Sequence, residues 1–142
     1  MTTALERQVL AAPLIAYASA NSLPVAWPNI TFTPPQPPEA WVRFTVVDVK
    51  GQQIEMGSAN NTHRVYGSLI LQVFWPADEG DGDALALGDA LGELYRQQIF
   101  NFPDTPFSGH VRMRDPNVRE IGRDGAFWQV NVTIPFHRDD LL

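Results

Sequence analysis

Apolar residues recur along this chain with two periods, and the switches between them mark out its elements. Leu5, Val9, Ala12 and Ala16 fall at helical spacing, and Thr3 followed by Glu6 has the form of a capping box, with Thr3 as N-cap and Glu6 reaching back. A helix is predicted from about 3 to 20, with Pro13 kinking it or starting a second short one. Residues 24–38, PVAWPNITFTPPQPP, hold six prolines, a density that a helix or a central strand does not tolerate. They predict an extended, partly polyproline connector. Its PxxP spacing at Pro34 and Pro37 is better explained as a stiff spacer than as an SH3-type ligand.

Period two then takes over. Residues 41–48, WVRFTVVD, predict a strand with Val42, Phe44 and Val46 on one face. Residues 64–75, RVYGSLILQVFW, predict a longer strand, with Val65, Leu69, Leu71, Val73 and Trp75 on one side and Tyr66, Ile70 and Phe74 on the other. Two apolar faces predict a central strand covered on each side. Between them lies VKGQQIEMGSANNTH, a polar loop of fifteen residues, long for a hairpin connection. Ala84, Leu87, Leu91, Leu94, Tyr95 and Gln98 return to helical spacing and predict a second helix from about 83 to 99, ended by Pro103 and Pro106. In GHVRMRD, Val111 and Met113 point inward and His110, Arg112 and Arg114 outward. Asp115-Pro-Asn117 is a turn. Asp124-Gly125 then separates two alternating runs, a hairpin signal, and Trp128, Val130, Val132, Ile134 and Phe136 face the core. The expected fold is α+β in the order α-β-β-α-β-β: a mostly antiparallel twisted sheet packed with two helices. There is no internal repeat and no domain linker, so residues 1–142 are expected to form one domain.

Composition narrows the classes of function. A chain of 142 residues is long enough to bury its own core, and with no cysteine it forms no disulfide, thiolate zinc site or thiol nucleophile. The first twenty residues lack the basic start and unbroken apolar run of a signal peptide, and no apolar run approaches the length of a membrane span. The net charge of −6 disfavours general nucleic-acid binding. Nine of the ten basic residues are arginine, the exception being Lys50. Arginine suits planar pairing with carboxylates at interfaces, although genome base composition explains such a bias equally well.

The stretch ADEGDGDALALGD, residues 77–89, packs five acids and three glycines into thirteen positions. As an EF-hand loop it fails: with Gly82 at position six, Ala77 and Gly88 occupy the essential ligand positions, and with Gly80 there, Trp75 does. A phosphate loop would need a lysine. The local reading remains: Gly80 and Gly82 turn the chain out of the long strand, Asp81 or Asp83 caps the helix, and the acids meet the positive end of its dipole. His63, His110 and His137 are scattered, no GxSxG elbow accompanies Ser108-Gly109-His110, and the sequons at Asn29, Asn60 and Asn131 lack a secretion signal. No convergent acid, base or nucleophile argues for an enzyme, a cofactor or a metal.

The charges are segregated. Residues 78–93 hold six acids and no base, whereas residues 96–123 hold five arginines against three acids. Placed on opposite flanks, such patches are complementary head to tail, the kind of contact that closes into a ring. Arg112, Arg114, Arg119 or Arg123 is then expected to meet Asp78, Glu79, Asp81 or Asp83 of the next subunit.

One resemblance gathers these features. An N-terminal helix leading into VAWPNITFTPP, then AWVRFTVVD, a polar loop and RVYGSLILQVFWPADEGDGDALALGDALGELYR resembles the tail terminator, or tail-completion, proteins of long-tailed bacteriophages. The aromatic-Pro-Asn and Phe-x-Pro-Pro segment and the glycine-rich turn before an Ala/Leu/Asp helix carry the likeness, over about residues 3–100. The resemblance implies a non-enzymatic virion protein, made in the bacterial cytoplasm, at the head-proximal end of the tail. It implies a homo-oligomer, expected to be a hexamer, that caps the tail tube, stops its polymerisation and meets neck or head-completion proteins. DNA would pass through the lumen without specific binding, and no membrane is involved. By the same analogy the loop residues Lys50, Gln52, Gln53, Glu55, Asn60, Asn61 and His63 would touch the tube. Acids 78–83 could line the lumen instead of the seam. Rival readings are another head–tail joining or minor tail protein, or a small-molecule-binding α+β domain with Trp41, Trp75 and Trp128 around a pocket.

Overall fold

The computed structural model describes residues 2–53, 62–102 and 109–141. The elements are α1 (Thr2–Asn21), β1 (Val25–Ala26), β2 (Trp41–Gln53), β3 (Thr62–Pro76), α2 (Gly82–Glu93), β4 (Ile99–Asn101), β5 (His110–Met113), β6 (Asn117–Asp124) and β7 (Phe127–Leu141). Seven strands form one sheet in the order β1-β2-β3-β7-β5-β4, with β6 also paired to β7, and only the short β1–β2 pairing is parallel. The α+β class stands, with three short strands beyond the expected order.

The core lies between the sheet and both helices. Val42, Phe44 and Val46 of β2, Leu69, Leu71 and Val73 of β3, and Val130, Val132, Ile134 and Phe136 of β7 present one continuous apolar face. Leu10 and Leu14 of α1, and Ala84 and Leu91 of α2 with Tyr95 just beyond it, close over that face. Gly88 and Gly92 bring α2 close to the sheet: a Cβ at Gly88 would stand 3.4 Å from Val118, Val130 and Val132, and one at Gly92 only 3.1 Å from Pro116.

The buried side of α1 differs from the expected stripe. Ala12 and Ala16 are exposed, and the buried positions are Glu6, Leu10 and Leu14. Thr3 lies inside α1 rather than at its N-cap, and Glu6 is buried. Its Oε1 accepts a hydrogen bond from Arg138 Nε at 2.8 Å, and Arg138 Nη2 also donates to the Thr3 hydroxyl at 3.3 Å. A buried acid at that position turns the helix about one residue from the orientation its apolar residues alone would choose. α1 also runs unbroken through Pro13. In the turn that Pro13 disturbs, the buried Tyr95 hydroxyl donates to the Leu10 carbonyl at 2.6 Å.

Three further expectations are corrected. Both ends of the fifteen-residue loop are ladder: Lys50 to Gln53 of β2 pair with Tyr66 to His63 of β3, a register shift lies between Asp48 and Lys50, and residues 54–61 lie outside the described residues. α2 ends at Glu93 rather than near 99, because residues 94–97 turn and Ile99 starts β4. Finally, β3 is central but not covered on both faces. On the outer face only one end is packed, where Trp41 stacks on Phe74 at 4.1 Å, beside Phe127 and under Phe32 of the connector. Phe127 lies on that outer side and is followed inward by Trp128, in the alternation of β7. The hairpin forms as expected, with Asp124 opposite Phe127 and Gly125 at φ +60 in the turn.

Candidate interaction surfaces

The open outer face of the sheet carries most of the arginines. Cross-strand register puts Arg43, Gln72, Asn131 and Arg119 in one row across β2, β3, β7 and β6. With strands roughly 4.8 Å apart, the two arginines bracket about 14 Å of amide-lined surface. Gln129 Nε2 donates to Asn131 Oδ1 at 2.9 Å, which joins the row to the next one. A second basic group lies toward the far end of β7, where Arg112 stands opposite His137 and Arg64 opposite Asp139. Arg64 clamps Asp139 through both carboxylate oxygens, at 2.8 and 3.1 Å. That pairing raises the guanidinium pKa and lowers the carboxyl pKa. His137 is pushed down from its ordinary value, first by burial and then by the nearby charge of Arg64. Its Nδ1 is buried with no hydrogen-bond partner among the described residues.

The acids occupy the other side of the molecule. Asp81 sits at the N-cap position of α2 but makes no side-chain cap, and Asp83 lies in the first turn. The Asp81 carboxyl lies against Glu120 of β6, and that neighbour raises the Glu120 pKa. Glu79 accepts from Trp75 Nε1 at 3.1 Å. Asp89 and Glu93 are exposed on α2, so the acidic run 78–93 follows the helix that covers the inner face.

The expected seam residues therefore separate into three groups. Arg112, Arg114 and Arg119 are exposed and make no ion pair among the described residues. Arg123 and Asp78 come together within the chain, in a two-pronged pair at 3.0 and 3.2 Å, so their charges already answer each other. Glu79, Asp81 and Asp83 stay grouped at the start of α2. Arg43, absent from the expected set, belongs to the basic face; only its alternation with Trp41 and Thr45 pointed there. Of the expected tube-contacting residues, Lys50, Gln52, Gln53 and His63 lie on the paired strands of the β2–β3 hairpin. Glu55, Asn60 and Asn61 lie outside the described residues.

Trp41, Trp75 and Trp128 do not surround one pocket. Trp41 is packed in the outer aromatic cluster, while Trp128 borders a hollow with Asp78, Asp81 and Arg123. Among the described residues no group of histidines and acids is arranged to hold a metal ion, and no helix is long and apolar enough to cross a membrane.

No curated protein matches the chain. A solved structure superposes with a TM-score of 0.73 at 23% sequence identity, over 100% of this chain and 98% of that one, a likeness that shows the fold. The sequence model described as phage tail terminator protein matches residues 2–136, and the chain belongs to that family of structural proteins of the bacteriophage tail.

Proposed function

We propose that copies of this chain close into a ring, expected to be hexameric, at the head-proximal end of the tail tube. The ring ends tube polymerisation and offers its free side to the neck and head-completion proteins, while DNA passes through the lumen without specific binding. Membership of the tail terminator family supports association with tail and head components. The observation that carries the ring is the two-sidedness of the charge. The open sheet face bears Arg43, Arg112, Arg114 and Arg119, and the acids of residues 79–93 follow α2 on the opposite face. Opposite charges on opposite faces favour head-to-tail contacts, which a suitable rotation closes. The seam we assign places that arginine face against Glu79, Asp81 and Asp83 of the next subunit, with the Arg123–Asp78 pair holding the strand-to-helix turn in shape. The β2–β3 hairpin, Lys50 to His63, is assigned to the tube.

Sedimentation over a wide concentration range, at low and high salt, tests the ring. A concentration-dependent step to a closed oligomer, weakened by salt and by Arg112→Glu with Arg114→Glu, is expected, because exposed charges are screened beyond roughly 8 Å at physiological ionic strength. Association indifferent to both changes would move the seam elsewhere. Shortening the hairpin should leave assembly intact and abolish capping of tubes.

A further inference from the structure

β2 is left with an unfinished edge. β1 covers it for two residues only, Val25 beside Val42 and Ala26 beside Arg43, and Val42 donates to the Pro24 carbonyl at 3.1 Å. The chain then leaves through Trp27 and Pro28 into a turn, with the Ile30 amide on the Trp27 carbonyl and Asn29 at φ +57. Pro28 has no N–H, so β1 has no donor there with which to continue the ladder. Strand alternation turns the backbone groups of Phe44 and Val46 to the same side as those of Val42, toward a hollow of about 380 Å³; the parallel pairing of Ala26 with Arg43 takes up the Phe44 amide, so the Phe44 carbonyl and the Val46 amide are the groups left for another strand. The Val46 carbonyl on that side takes a long hydrogen bond, 3.3 Å, from Arg7 Nη1. That side chain covers the Val46 carbonyl alone and leaves the Val46 amide beside it for a partner.

The hollow has a definite chemistry. Trp27, Ile30 and Phe32 give it an apolar wall, with Ile30 64% exposed. Its charged lining residues are Arg7 and Arg43, and no acid lines it. The Arg43 guanidinium rests 5.3 Å over the Trp41 ring and 5.6 Å over Phe74, and neither arginine meets a carboxylate among the described residues. We infer that this edge receives an extended segment of another protein, apolar and acidic in alternation, which adds as a strand beside β2 where β1 departs. Backbone hydrogen bonds to the Phe44 carbonyl and the Val46 amide would set its register, Trp27 and Ile30 would cover its apolar side chains, and Arg43 would select the carboxylates on its other face. The inference concerns a different edge of the molecule from the proposed ring seam and stands without it.

Two acetylated, amidated peptides test it in nitrogen-15-labelled protein: Glu-Val-Thr-Val-Glu and the same sequence with lysine at both ends. The acidic peptide should saturate, shift the Val46 amide and slow its hydrogen exchange, whereas the lysine peptide should not. Arg43→Glu, at an exposed position, should weaken the acidic peptide at least about tenfold, and so should Ile30→Asp. Lack of saturation at millimolar peptide, equal binding of both peptides, or protection confined to another edge would overturn the inference. So would concentration-dependent protection of the Val46 amide without peptide, which would put a second copy of this chain in the hollow.

Discussion

Removing Arg138 while keeping Glu6 should be among the most damaging single changes in the protein. Glu6 is 0% exposed and Arg138 is 4% exposed, with a 2.8 Å hydrogen bond between them. Arg138→Met keeps most of the aliphatic bulk but leaves a carboxylate enclosed without its cation. Breaking such a buried pair from one side costs about 3–5 kcal/mol. A domain of this size has a total stability of about 5–15 kcal/mol, so about a fifth or more is at stake. An unfolding entropy of about 2.1 cal/mol/K per residue gives roughly 0.3 kcal/mol/K for the whole chain, and hence a fall in Tm of about 10–17 °C. Urea unfolding measures the loss directly, with the slope unchanged if the unfolded state is unaffected. The partner experiment is the double substitution Glu6→Met with Arg138→Met. With neither charge left to bury, it should recover about 2–3 kcal/mol relative to the sum of the single changes. A loss below about 1 kcal/mol for Arg138→Met, or strictly additive single changes, would refute the claim that this pair is desolvated and mutually dependent.

Other expectations follow from the packing and charges. Gly88→Ala should raise stability by up to about 1 kcal/mol, since its new methyl meets only ordinary contacts at 3.4 Å and the helix gains propensity. Gly92→Ala should lose about 1 kcal/mol, because the rigid Pro116 ring at 3.1–3.2 Å must give way; thermal melts of the two variants shifting in the same direction would contradict this. Tyr95→Phe should cost about 1 kcal/mol by removing the buried hydrogen bond to the Leu10 carbonyl, and a loss indistinguishable from zero in urea would show that bond to be idle. His137 should titrate below 6.5 by proton NMR. Because its folded pKa is lowered, its contribution to stability is present above 6.5 and fades as pH falls through the folded pKa. A midpoint above 6.5 would contradict the burial and the nearby arginine charge.

Much of the fold was legible because the long strands state their faces in simple alternation. Phe44, Leu71, Val132 and Ile134 could be placed on the core side from spacing alone, as could the hairpin around Gly125. What misled was each place where a polar residue does something other than its local role. Glu6 has the spacing of a capping partner, and only Arg138, 132 residues away, shows it to be buried. The polar run after Asp48 reads as a loop because strand edges and hairpin arms facing solvent need no apolar residues; register with β3 makes its two ends ladder. Charge segregation was visible in the order of residues, but not that Arg123 would meet Asp78 in its own chain or that Arg43 would join the basic row. Those facts depend on which strands become neighbours, and local patterns carry little of that information.

The Glu6–Arg138 bond has a bearing on how the protein is made. It fastens α1 onto β7, which follows it by more than a hundred residues, and the β3–β7 ladder likewise pairs Thr62 with Leu141. Contacts so far apart along the chain form late, after the slow closure of large loops. A nascent chain that has not yet delivered β7 lacks the strand that joins β3 to β5 and β6, so its core stays open. Ribosomal products released early would thus be recognisably unfinished and open to proteolysis. Truncated copies would be removed rather than built into an assembly where one defective subunit could spoil the whole.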